Sequence, residues 1–177
     1  MEKRILLIPL GPVCEELPGW LESRIAEIYS AQVSTGELVA LPETLFVPQR
    51  KQYDGDLILP FIRNAVHDFS EYKLGLVDED CFSEGLNFIF GQSVLKGHES
   101  FVALSRLKES FYARAENKEL FFQRVLKEAV HELGHAFGMV HCADPECVMH
   151  FSNSLKDTDR KTLSLCGGCR RQLWNTG

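Results

Sequence analysis

Apolar and polar positions follow two periods along the chain. Ile5–Pro9 is an unbroken apolar run, the mark of a strand buried on both faces. From Glu15 to Ser30, Leu17, Trp20, Leu21, Ile25 and Ile28 recur at helical spacing and predict an amphipathic helix around Pro18. Val33–Leu41 predicts a second strand interrupted at Gly36, and Pro42, Pro48 and Gly55 punctuate a loop. Asp56 to Phe69 reads as a helix, with Pro60 tolerable only in or near its first turn. Lys73–Asp78, Leu86–Gln92 and Phe101–Leu107 are short strand patterns, the last two separated by the turn-like Leu95–Glu99. A long helix is expected over Lys118–Phe137, capped by Asn117 and docked through Phe121, Val125, Leu126, Ala129, Val130, Leu133 and Phe137. This order predicts an α/β (α+β) fold with a twisted, mostly parallel mixed sheet and one antiparallel edge strand.

Composition narrows the class. A chain of 177 residues, 45% hydrophobic and 25% charged, fits one globular domain. A net charge of −6 argues against a nucleic-acid or anionic-membrane partner, because no basic excess exists to neutralise phosphate. No apolar run has the length a bilayer requires. Lys3 and Arg4 before Ile5–Ile8 imitate a secretory leader, but the run is short and lacks a small-residue cleavage site, so a cytoplasmic protein is expected. A monomer is compatible with the composition, and the oligomeric state is left open.

One stretch changes the picture: His131 to His150, HELGHAFGMVHCADPECVMH. His131 and His135 lie one helical turn apart and share a face, so both imidazoles reach one ion. Glu132 is rotated by about 100° from His131, beside such an ion rather than on it, where it can take a proton from an attacking water. H-E-x-x-H is the zinc-hydrolase arrangement. An unbroken helix would carry His141 away, but Gly138 can adopt positive φ and let the chain reverse, returning His141 as a third ligand. Three neutral nitrogens leave the fourth zinc position open, the catalytic configuration.

Four of the six cysteines, Cys142, Cys147, Cys166 and Cys169, fall in the C-terminal segment. In a reducing compartment they suit one tetrahedral thiolate site, a second and structural zinc; disulfides, or a redox pair at Cys166 and Cys169, are the alternatives. Residues 139–177 carry few large apolar groups to hold themselves by burial, so such a zinc would staple them as a small subdomain. The expected division is 1–138, an α/β part with the active-site helix, and 139–177, the four-cysteine part, within one catalytic domain. Cys14 and Cys81 read as small buried hydrophobes, either of which could in principle cap the zinc. His67 and His98 read as surface or helix-end histidines, and His150 is a candidate by proximity alone.

His131, Glu132, His135, Gly138 and His141 fill the H-E-x-x-H-x-x-G-x-x-H signature of the metzincins, which the chain resembles. Within that clan Cys142, Cys147-Val148-Met149 and Cys166-Gly-Gly-Cys169 are similar to the pattern of the archaemetzincins. The resemblance is specific over Glu128–Cys169. It implies a zinc metallopeptidase with Met149 in a tight turn beneath the metal. Some metzincins place an oxyanion-steadying tyrosine where this chain has Phe151, which has no donor. The expected reaction is peptide-bond hydrolysis, with Glu132 as general base and acid and a peptide or protein substrate added to the edge strand Leu86–Gln92. The alternatives are hydrolysis of a small non-peptide amide, and a zinc-stabilised binding protein without activity.

Overall fold

The computed structural model describes residues 3–65 and 71–175. In chain order the elements are β1 (Arg4–Leu10), α1 (Glu16–Tyr29), β2 (Gln32–Thr35), β3 (Phe46–Val47), β4 (Gln52–Asp54) and α2 (Gly55–Ala65). There follow β5 (Tyr72–Val77), β6 (Cys81–Phe82), β7 (Gly91–Ser93), β8 (Glu99–Ala103), α3 (Lys118–Ala136), α4 (Leu155–Arg160) and α5 (Gly167–Asn175). The main sheet has the order β2-β1-β5-β8-β7, parallel throughout except that β7 runs antiparallel to β8 at the edge. The mixed, mostly parallel sheet expected from the strand order is therefore the observed one.

The continuous apolar run of β1 has a direct cause. Ile5 and Leu7 enter the cluster that holds α1 and α3, while Leu6, Ile8 and Leu10 enter the cluster that holds α2. A strand covered on both sides has no wet face with which to alternate. The partners repeat the division: Leu74, Leu76 and Val102 face α3, and Val77, Phe101 and Ala103 face α2.

α3 begins at the expected cap, where Asn117 accepts from the Leu120 amide at 3.0 Å. Its core positions include Val125, Leu126, Ala129, Val130 and Leu133 as expected, but Phe122 takes the buried place and Phe121 is only half-buried. The tail returns to α3 through a polar clasp. Arg124, 2% exposed, donates to both oxygens of Asp159 at 2.6 and 2.8 Å and to the Leu107 carbonyl at 3.0 Å, and pairs with Glu109. Lys127 donates to the carbonyls of Thr158 and Asp159.

Several boundaries differ from expectation. The ladder of β2 stops at Thr35, and of the expected continuation to Leu41 the isolated bridge is Leu10 with Val39. The strand expected at Leu86–Gln92 is ordered only from Gly91, because Arg50 and Gln52 draw on the Asn87 carbonyl and Ile89 bridges to Cys81 of a second sheet, β3-β4-β6. β8 starts at Glu99 and ends at Ala103, since Leu104 takes helical dihedrals and Ser105–Leu107 forms a 3-10 turn. Pro60 sits in the second turn of α2; the carbonyl it leaves without an amide belongs to exposed Asp56. The expected extension of α2 to Phe69 lies outside the described residues. No helix among the described residues is long and apolar enough to cross a membrane.

Candidate metal centre and catalytic cleft

His131 and His135 project from one face of α3, with Nε2 atoms 3.0 Å apart. Their other ring nitrogens are engaged: His131 Nδ1 lies 2.8 Å from the Val148 carbonyl and His135 Nδ1 2.8 Å from that of Met139. A carbonyl only accepts, so each ring's proton is assigned to Nδ1 and each Nε2 is left with a lone pair. Two lone pairs at that distance repel unless a cation lies between them. Protonating a ring is opposed by burial, which, with Lys161 and His135 adding to it, holds His131 well below the usual imidazole range. Burial also lowers His135 and His141. An imidazole whose second nitrogen is tied to a carbonyl is the arrangement metal-binding histidines favour.

The third histidine arrives by the expected reversal. Phe137 and Gly138 amides close back on Leu133 and His135, and Gly138 has φ +92°, where a Cβ would be strained. The His141 ring centroid then lies 4.7 Å from that of His135 and 5.3 Å from that of His131. One nitrogen from each ring falls within 4.8 Å of the others, so the three could hold one metal ion.

Glu132 lines the same cleft, which encloses about 210 Å³. Its carboxylate lies against the edge strand at Gly91; a Cβ there would stand 2.7 Å from Glu132 Cγ and 2.8 Å from Oε1. Burial, and next the charge of Glu128, raise its pKa well above the usual carboxyl range, while Lys161 opposes them. A carboxyl so biased is suited to take up and return a proton. Met149 is fully buried against Gly134 on the turn between the two helical histidines. The Phe151 ring lies tilted 5.1 Å from that of His141 and offers no donor.

The four C-terminal cysteines also meet. Their Sγ atoms lie within 4.8 Å of one another, Cys142 and Cys166 3.7 Å apart, and all six cysteines are free thiols. The Cys166 thiol is drawn down to about 7, first by the Cys169 amide, while burial pushes the Cys142 and Cys169 thiols up. The amide of Cys166 in turn bonds Cys147 Sγ at 3.4 Å. A tetrahedral thiolate centre fits this donor set. The loop between the clusters is closed by the Cys142 amide on the Met149 carbonyl.

Other sequence candidates are elsewhere. His150 Nδ1 bonds the Cys142 carbonyl at 2.8 Å and braces the turn, and His98 Nδ1 bonds the Glu71 carbonyl at 2.7 Å. His67 lies outside the described residues. Cys81 is buried in the α2-side core and Cys14 is exposed, so neither caps the histidines. Two residues without a sequence motif also enter the site: Glu128, on the cleft wall, and Lys161, 3.0 Å from it. Glu128 precedes His131 by three positions and so shares its helix face, a signal present in the spacing; Lys161 carries none.

A mixed sheet with a histidine-bearing helix across its edge strand, and an acid beside the histidines, defines a zinc metallopeptidase. A model of peptidase family M54 matches residues 38–175. The chain is 38% identical over 179 residues to an archaemetzincin of Thermococcus kodakarensis, covering 96% of this chain and 94% of that protein. It is 42% identical over 138 residues to one of Sulfolobus acidocaldarius, covering 77% of each. The crystal structure of archaemetzincin from Methanopyrus kandleri superposes with a TM-score of 0.88 at 32% identity, covering 99% of this chain and 95% of that one. That of Archaeoglobus fulgidus, solved in complex with malonate, gives 0.83 at 32% identity, covering 96% and 99%. The chain belongs to the archaemetzincins, peptidase family M54.

Proposed function

We propose that His131, His135 and His141 hold a catalytic zinc and that Glu132 is the general base and acid of peptide-bond hydrolysis. The observation that carries this is the pair of Nε2 lone pairs facing each other at 3.0 Å with both Nδ1 protons committed to carbonyls. When bound, zinc supplies a Lewis acid that acidifies water and polarises the scissile carbonyl. Glu132, held against Gly91, accepts the proton of the attacking water and passes it to the leaving amine. β7, the unshared edge of the sheet and part of the cleft wall, receives an extended substrate by strand addition. Cys142, Cys147, Cys166 and Cys169 hold a second, structural zinc that fixes the part from residue 139 onward beneath the helix.

The test is Glu132→Ala. Zinc content stays at about two per chain, and hydrolysis of a peptide library falls by roughly 10²–10⁴-fold. Undiminished hydrolysis in a zinc-loaded variant removes Glu132 from its role. A wild-type chain with a single zinc removes whichever cluster its ligand substitutions fail to empty.

A further inference from the structure

We propose that Glu128 selects the substrate side chain that enters the cleft beside Ser152 and Asn153, favouring lysine or arginine; this rests on the zinc-peptidase reading of the same cleft. Glu128 lines the cleft about one turn before Glu132 on α3, with its side chain 3% exposed. Its contacts all gather on one oxygen. Thr158 Oγ1 donates to Oε1 at 2.9 Å and Ser152 Oγ at 3.3 Å, while Lys161 Nζ stands 3.0 Å from the same atom. Oε2 receives no hydrogen bond among the described residues. Lys161 is fully buried and lies out of line for a hydrogen bond, so it acts on the carboxylate as a charge from behind. The lone pairs of Oε2 are satisfied only by what enters the cleft, water or a donor carried by the substrate.

The other lining groups decide the sign of the preference. Glu128 and Glu132 line the cleft together with the three histidines, and no lysine or arginine does. A substrate carboxylate placed there meets a like-charged acceptor, and the side-chain donors beside it, Ser152 and Asn153, are neutral. A leucine covers Oε2 and leaves it unpaired. An ammonium or guanidinium brings donors to Oε2, and its alkyl stem can lie along Phe88, Phe90 or Phe151. Lys161 offsets part of the charge, so selection depends on the free acceptor as much as on the field. Thr158, Ser152 and Lys161 also fix the carboxylate in place, which makes the subsite preorganised.

The decisive variant is Glu128→Gln. Oε1 is held as the acceptor by two hydroxyls, so the substituted amide turns its nitrogen toward the cleft and converts an acceptor into a donor. Zinc-loaded full-length chain is titrated calorimetrically with peptide hydroxamates that differ in one side chain: Lys, Arg, Leu or Glu. Matched fluorogenic peptides are digested in parallel. The wild type binds the Lys and Arg compounds about tenfold tighter than Leu or Glu, and E128Q loses that advantage and gains on Glu. Should E128Q fail to fold, E128M/K161M removes both buried charges together and shifts the preference to Leu. Equal binding of all four compounds by the wild type overturns the proposal, as does an unchanged profile in the variants. A side-chain preference in binding without any peptide cleavage upholds Glu128 and overturns the peptidase reading. Cleavage without a preference does the reverse, and absence of hydroxamate binding overturns both.

Discussion

Glu132 packs against the backbone of Gly91, with no room between them for a side chain. Any side chain at Gly91 meets both the carboxylate and the Phe101 carbonyl, 2.7 Å from a Cβ. Gly91→Ala therefore displaces the acid without touching a metal ligand. Misplacement of about 1 Å can cost roughly 10²-fold in rate, so G91A is expected to lose about that in kcat with zinc content unchanged. Single-turnover hydrolysis together with metal analysis checks this; wild-type kcat in G91A would show that the strand does not position Glu132. Legibility at this scale follows sequence distance. The histidines and Glu132 are readable because one helix and one turn carry all four. Gly91 meets Glu132 only through the fold, and Lys161 reaches Glu128 from another helix's end, so neither has a local signature.

Among the elements, α3 and the segment that follows it are held by different forces. α3 is buried along the sheet by apolar contact. The following segment contributes Met139, Cys147, Val148, Met149 and Cys169 to the core, packs Leu155, Leu163 and Leu165 against it at partial burial, and adds the Arg124 clasp. Stripping metal with a chelator, or Cys169→Ser, is expected to open residues 139–175 to limited proteolysis while the sheet, α1 and α3 stay protected. Mass mapping of the fragments measures it, and an equally protected tail in metal-free protein would refute a structural ion. The strands show how far periodicity reaches. β1 was readable because burial on both faces writes a continuous apolar run. β7 is shorter than its pattern because Ile89 and the Asn87 carbonyl are drawn to the small sheet, a contest between distant partners that periodicity does not contain.

Across the whole molecule, acid weakens the fold through paired carboxylates. Glu99, on the first residue of β8, accepts from Arg63 of α2 at 3.1 and 3.0 Å, and this pairing, opposed by burial, lowers its pKa from 4.5. Glu109 and Asp56 are lowered as well, Glu109 first by the Arg124 guanidinium. A carboxyl lowered in the folded state stabilises fully above its unfolded pKa and loses that contribution as pH falls through the folded value. Arg63 is 59% exposed, which limits the Glu99 share to about 1 kcal/mol or less. Glu99→Gln is expected to flatten the decline of the urea midpoint between about pH 5 and about pH 3. A decline as steep as the wild type's would assign acid sensitivity to other groups.

His141 and Cys142 are neighbours in the chain yet face different clusters. An ion held by the four sulfurs would freeze the peptide that carries the third imidazole and so lower the entropic cost of closing the ring of nitrogens. Linkage is reciprocal, so occupancy of either position strengthens the other by the same factor. If both clusters take zinc, the pair would fill and empty cooperatively under zinc scarcity, and activity would respond to free zinc more steeply than a single independent site allows.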